Sequence, residues 1–251
     1  MFRFFTVSLF TGILLFFGAG CNSKGLFSGP LKIGVDPYWY PINFGMQNSY
    51  VNGFVEEFLL DVAQQNKLEF ERITANWDNL LEGLKQGRYQ AILSSLPPHE
   101  FNLNLYDFSH NFLDLGPVLI VPEGSAKNSL DKMSSEHIGV IVGDPAVLLL
   151  QKYEGLMVRN YPTAPDLLEA LSQGEIEGVL LDRVLAGSYV TDLFSKKLKI
   201  AGPPLSDAGL HLIVLKGKQS VLLAQFNKSI NILKKKKRMS VLIKKWRLGE
   251  I

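Results

Sequence analysis

The chain repeats itself, and the repeat restricts its fold more than any other feature. Trp77 to Leu93 reads WDNLLEGLKQGRYQAIL and Pro165 to Leu181 reads PDLLEALSQGEIEGVLL. Leu80, Leu81, Glu82, Leu84, Gln86 and Gly87 return as Leu167, Leu168, Glu169, Leu171, Gln173 and Gly174. A sequence that echoes itself is assembled from like units.

In each copy the leucines form one apolar helical stripe, a glycine stands where a left-handed residue would end the helix, and a short apolar run follows. AILSSL and GVLLD are apolar on both faces, as strands are when helices cover a parallel sheet on each side. Two copies predict an α/β fold with two lobes. Ligands of open α/β sheets bind beyond the carboxyl ends of the strands, so Ser94, Ser95 and Asp182, which end these runs, are the first site candidates.

The surrounding chain fits the same pattern. LKIGVD (Leu31 to Asp36) alternates as a strand and is followed by the aromatic loop PYWYPINF. A helix is expected from Asn52-Gly53 to about Asn66, then a strand LEFERI. HIGVIVG and MVRNYP read as strands, and GDPAVLLLQKY as a helix capped by Asp144 with Pro145 at its first position. VLAGSYVTDLF reads as another helix, and Val221 to Trp246 as one long amphipathic helical region, its Lys234 to Arg238 run a solvated face. Two apolar extended segments, Leu115 to Val121 and Leu210 to Leu215, are the expected crossings between lobes.

The first 21 residues, one Arg, an apolar stretch and small residues ending in Cys21, have the layout of a signal peptide and stand outside the fold. Cys21 is the one cysteine, so an intrachain disulfide and a cysteine metal cluster are excluded. Its place after Gly18-Ala19-Gly20 resembles a bacterial lipobox, which implies lipidation at Cys21, with residues 22–30 as a flexible tether. A net charge of +2 argues neither for nor against nucleic acid, and the lack of a basic stripe interleaved with aromatics sets it aside as a partner.

Read in order, VD..Y.PINF, NGF.EEFLLDVAQQ, NWDNLLEGLKQGRYQAILSSL, YDFS, IGVIVG, ALSQGEIEGVLLD and FNKSINILKKKKRMSVLIKKW resemble solute-binding family 3, the amino-acid-binding proteins of bacterial ABC importers. The resemblance runs from Leu31 to Trp246. It implies a two-lobed periplasmic-binding-protein clamp of type II, each lobe a mostly parallel sheet flanked by helices, with two hinge crossings. Lobe 1 would comprise residues 31–115 and 216–251, and residues 116–215 the hinges and lobe 2. It further implies a monomer, exported to the periplasm or cell surface and lipid-anchored, that passes an amino acid or related amine to an ABC permease and ATPase, without a cofactor.

The resemblance also nominates residues. Asp182 matches the aspartate that binds the solute's ammonium; Trp39 and Trp77 match aromatics that cover it, with Asp36 beside them. A carboxylate for a buried cation and an indole face beside it are sound chemistry for such a ligand. The carboxylate end departs from the family: where its members carry an Arg, this chain has Asn102, and no Arg occurs between Tyr89 and Met157. Where members have a Gly-Thr-Thr-like turn, this chain has Gly143-Asp144-Pro145, and an aspartate there repels an anion while proline removes a donor. The expected solute is therefore cationic or amine-bearing. Two other functions compete with transport: a clamp that senses its ligand or serves as a surface lipoprotein, and a dehydratase-like enzyme. His99, His110, His137 and His211 have no metal spacing, and no nucleophile elbow or phosphate loop is visible, so neither a catalytic nor a metal-binding residue is expected.

Overall fold

The computed structural model describes residues 29–40, 42 and 44–249. The leader, Cys21 and the tether up to residue 28 lie outside the described residues. Among those described, no helix is long and apolar enough to cross a membrane.

Two sheets organise the chain. The first contains β1 (Leu31–Val35), β2 (Phe70–Thr74), β3 (Ala91–Ser94), β4 (Tyr106–Phe108), β5 (Leu113–Asp114) and, from far along the sequence, β11 (Gly209–Leu215). Its order is β2-β1-β3-β11-β4, with β5 also on β11. The second contains β6 (Pro117–Pro122), β7 (His137–Ile141), β8 (Met157–Tyr161), β9 (Gly178–Asp182) and β10 (Leu198–Ala201), in the order β10-β6-β9-β7-β8.

The repeat explains this arrangement. Its helices are α2 (Trp77–Lys85) and α5 (Ala164–Gln173), and its strands are β3 and β9. Each helix opens the same way, with the Asn76 side chain accepting from Asn79 N–H and the Thr163 side chain from Asp166 N–H. Each copy turns into its strand through a left-handed glycine, Gly87 at φ 71° and Gly174 at φ 77°. Each strand then takes the same slot: β3 lies between parallel β1 and antiparallel β11, β9 between parallel β7 and antiparallel β6. The sheets are therefore mixed rather than mostly parallel, because the strands that leave and re-enter a lobe run against the others.

On one face of the first sheet, α1 (Asn48–Asn66), α7 (Ser220–Lys235) and α8 (Arg238–Lys245) bury Val35, Phe54, Phe58, Leu93, Phe112, Leu212 and Phe226; on the other, α2 covers Ile92 and Ile213. In the second sheet α5 and α6 (Arg183–Asp192) cover one face, and α4 (Val147–Leu150) with a short turn at Leu130 covers the other.

Four expectations need correction. Leu210 to Leu215 are not a crossing but the interior of β11 in the first sheet, so residues 209–215 belong with lobe 1; six of the seven residues of β11 are buried between that sheet's cores. The crossings are shorter and lie side by side: Leu115 and Gly116 N–H donate to Ala208 O at 2.9 and 3.2 Å, and Leu205 N–H to Pro117 O at 2.8 Å. A side chain at Gly116 would come within 2.5 Å of Ser206 Oγ, so this ribbon closes only around glycine.

The helix assigned to Asn52-Gly53 starts earlier, at Asn48, and Gly53 lies inside it because the Trp246 ring fills the space a Cβ would take. Val221 to Trp246 is two helices, broken where Lys237 turns left-handed at φ 57°, which lets α8 fold back along α1. There Arg238 pairs with Asp61 and Glu57, and Lys245 and Trp246 also reach Glu57. Finally, the Asp144 segment forms only the single turn α4.

Candidate functional site

The strand order brings the candidate residues to one end of each sheet. In the repeat, Ser95 and Asp182 are equivalent positions at the carboxyl ends of β3 and β9, but the sequence equips them differently. Ser95 is buried and its Oγ donates to Trp39 O at 3.3 Å. Asp182 is part-buried and stands at the N-cap of α6 with φ −52° and ψ 137°, yet its side chain makes no capping bond. Among the described residues its carboxylate has no donor.

That carboxyl is raised from 3.8 to about 6. Burial at the mouth of the sheet is the larger cause, and the neighbouring Asp144 carboxylate adds to it. Asp144 follows β7, the parallel neighbour of β9, and one of its oxygens accepts from Ala146 N–H at 2.7 Å in a tight turn. Lobe 2 thus presents two acids of which one is unpaired: a site short of a cation.

Lobe 1 distributes its aromatics differently from the sequence expectation. Asp36 is buried and accepts from Tyr38 N–H at 3.0 Å and Tyr40 N–H at 3.2 Å, so it shapes the loop and has little left for a ligand. Trp39 turns inward: it is 1% exposed in the lobe 1 core, left-handed at φ 60°, and its indole N–H donates to Asn52 Oδ1 at 3.0 Å. Folding drives the largest apolar ring in the loop into the core, which leaves Tyr38 and Tyr40 outside, 75% and 56% exposed. Tyr40 meets Trp77, with ring centroids 5.6 Å apart and planes tilted by 50°. Trp77, half-buried at the start of α2, therefore forms an aromatic pair with the exposed Tyr40, a residue that sequence reasoning missed. Tyr40 lies in a loop, where no periodicity marks a position.

Asn102 sits in α3 (Glu100–Leu103), a single turn, and its amide N–H donates to Pro97 O at 2.8 Å. One of its two N–H groups is thus used to hold the loop. Ser94 is likewise committed, its Oγ accepting from Leu96 N–H at 3.1 Å. Among the nominated carboxylates only that of Asp182 has no donor among the described residues, whereas Ser95 Oγ, the Trp39 indole N–H and one Asn102 N–H are engaged within lobe 1. Among the described residues no group of three or more His, Cys, Asp or Glu side chains gathers to hold a metal.

His211 faces the same strand end. It pairs with Ser94 across the sheet, is 5% exposed, and meets Ser109 O through Nδ1 at 2.9 Å. A carbonyl only accepts, so Nδ1 carries the proton and Nε2, which is buried without a partner among the described residues, is a bare lone pair. Burial lowers this imidazole's pKa, against opposing pulls from the Ser109 carbonyl and from Asp207 and Asp114.

Comparison with known proteins agrees with this architecture. Residues 31–250 match the model of bacterial extracellular solute-binding proteins, family 3. The chain is 25% identical over 221 residues to the L-cystine-binding protein TcyJ of Escherichia coli K12, covering 87% of this chain and 82% of that protein. It is 24% identical over 214 residues to the glutamine-binding protein GlnH of Bacillus subtilis, covering 81% and 76%. Among solved structures, the unliganded open L-cystine receptor of Neisseria gonorrhoeae superposes with a TM-score of 0.68 at 19% identity, covering 88% of this chain and 94% of that one. The second substrate-binding domain of a putative amino-acid ABC transporter from Streptococcus pneumoniae gives 0.63 at 20% identity, covering 86% and 99%.

Proposed function

The chain belongs to bacterial extracellular solute-binding protein family 3, and from that premise we propose that it is the solute-capturing component of an ABC importer for an amino acid or related amine. The observation that carries this reading is the Asp182 carboxylate, unpaired at the end of β9 and held near 6 by burial and by Asp144. An ammonium group supplies the charge that site lacks. It gains a charge-assisted hydrogen bond and relieves the repulsion between the two acids. Tyr40 and Trp77 offer ring faces for the rest of the cation.

Capture works by differential contact. A solute that touches Asp182 in lobe 2 and the aromatic pair in lobe 1 stabilises the closed arrangement by the contacts it makes only there. The protein binds and releases without chemistry. Export and a lipid on Cys21 keep it near a permease and its ATPase, to which it delivers solute as a monomer. Asn102 in place of a guanidinium supports a solute whose carboxylate is absent, masked or held by other groups.

The test is a thermal-shift screen of the fragment Leu26 to Ile251 against amino acids, polyamines, guanidino compounds and short peptides, followed by calorimetry. Binding to the native state raises the melting temperature by mass action. An amine or basic amino acid that shifts the parent and not Asp182→Ala supports the reading. Saturation by an acidic amino acid, with no response to amines, overturns the cationic specificity. No response to the whole panel by a folded protein favours the sensing or surface-lipoprotein reading, which the engaged Asn102 amide also suits.

A further inference from the structure

The helix that Asp182 caps is held from behind by the other lobe. Helix α6 is packed on two faces. Leu185, Ala186, Tyr189 and Val190 pack into the core of the second sheet, as expected of a lobe 2 helix. Val184, Gly187, Ser188 and Asp192, the last three at three, four and eight residues from Val184, form a second stripe that meets lobe 1.

Four contacts make up that meeting. Val184, 1% exposed, belongs to the lobe 1 core together with Leu248, 0% exposed, which follows α8. Gly187 lies against Gly249 so closely that a Cβ on it would stand 2.3 Å from the Gly249 Cα. Gln47 Nε2 donates to Ser188 Oγ at 3.0 Å. Arg247 pairs with Asp192 at 3.4 Å.

We propose that the C-terminal tail, Arg247 to Gly249, is a bearing for α6: a third connection between the lobes that persists as they open and close. Two side-by-side crossings alone permit both bending and twisting. A third fixed point restricts lobe 2 to rotation about the line joining it to the crossings. Packing this tight is bistable rather than elastic, so the contact is kept or lost as a whole. Losing it exposes Val184 and Leu248 together, whereas keeping it holds Asp182, at the adjoining helix end, at a fixed depth in the cleft. Gly187, Leu248 and Gly249 are then positioning residues for that carboxylate.

The test needs no solute and stands apart from the identity of the ligand. In the full chain with Cys21→Ser, spin labels at Glu71→Cys and Arg159→Cys, exposed positions on the outer strands β2 and β8, report the distance between the lobes by pulsed electron resonance. The expected parent distribution is narrow with one maximum. Gly187→Val, which wedges the glycine contact, and a chain ending at Trp246, which removes the tail, are both expected to broaden it and to add a second maximum. Two variants acting in opposite ways guard against one failing to fold, and circular dichroism checks that each sheet persists. A distribution in the folded shortened chain that superposes on the parent's overturns the proposal, as does a parent that already has the broad distribution.

Discussion

Replacing Asp182 by Asn should make the solute-free protein more stable while abolishing capture. The carboxyl rises from 3.8 to about 6, a change of about 2.2 pH units, which at about 1.4 kcal/mol each is about 3 kcal/mol. Part of the side chain stays open to water, so we take about 2 kcal/mol as the working figure. Because the native state holds this proton more tightly than the unfolded chain, the stability linked to the group is fully present below pH 4. It drains away as pH rises to about 6, and an asparagine never loses it. At about 2 to 4 °C per kcal/mol for a chain of this size, Asp182→Asn should melt roughly 4 to 8 °C above the parent at pH 8 and level with it near pH 4. Scanning calorimetry at half-unit steps of pH would read both limits. In the parent, a saturating ammonium-bearing solute should cancel the loss at pH 8, and its affinity should fall about tenfold per unit below pH 6 as the carboxylate is protonated. A variant that melts below the parent at pH 8, or a gap that is the same at pH 4 and pH 8, would refute the assignment of an unpaired charged site.

Three further outcomes are expected. Tyr40→Ala should weaken binding of a cationic solute about two- to fivefold by calorimetry, the worth of an exposed cation–π face, while Trp39→Phe should act mainly on melting temperature because that ring lies in the core. Gly53→Ala should cost about 1 to 3 kcal/mol in denaturant unfolding, since a methyl there would lie 2.2 Å from the Trp246 ring. The buried imidazole of His211 has a pKa below 6.5, so the native state binds its proton less well than the unfolded chain. Stability should fall as pH drops below 6.5, and His211→Leu should flatten that limb, at a cost near neutral pH of about 1 kcal/mol for the lost bond to Ser109 O.

The architecture was legible because one unit was written twice. Leucine stripes and the left-handed glycines Gly87 and Gly174 are local signals, and local signals fix α2-β3 and α5-β9 before any tertiary contact forms. Misreadings came where a distant residue decides. Gly53 reads as the opening of a helix until Trp246 arrives from the far end of the chain. Leu210 to Leu215 reads equally as a linker or a core strand, and only its pairing with β3 and β4 tells them apart. At the site, the strand ends are predictable from position, and the structure puts Ser95 and Asp182 there. The loop between Asp36 and Phe44 holds three neighbouring rings, Tyr38, Trp39 and Tyr40, and sequence does not say which one the core will claim. Once Trp39 is buried on Asn52, Tyr40 is left for the surface.

The placement of β11 also sets an order of events during synthesis. All five strands of the second sheet, from β6 to β10, lie between residues 117 and 201, so that lobe can close on itself while the remainder of the chain is still being made. The first sheet cannot. β4 and β5 reach it only through β11, and the α1 face is covered only when α7 and α8 follow. Lobe 1, although it starts first, therefore remains an open two-layer fragment with its apolar face bare until the last fifth of the polypeptide has emerged. The part begun earliest is the part finished last.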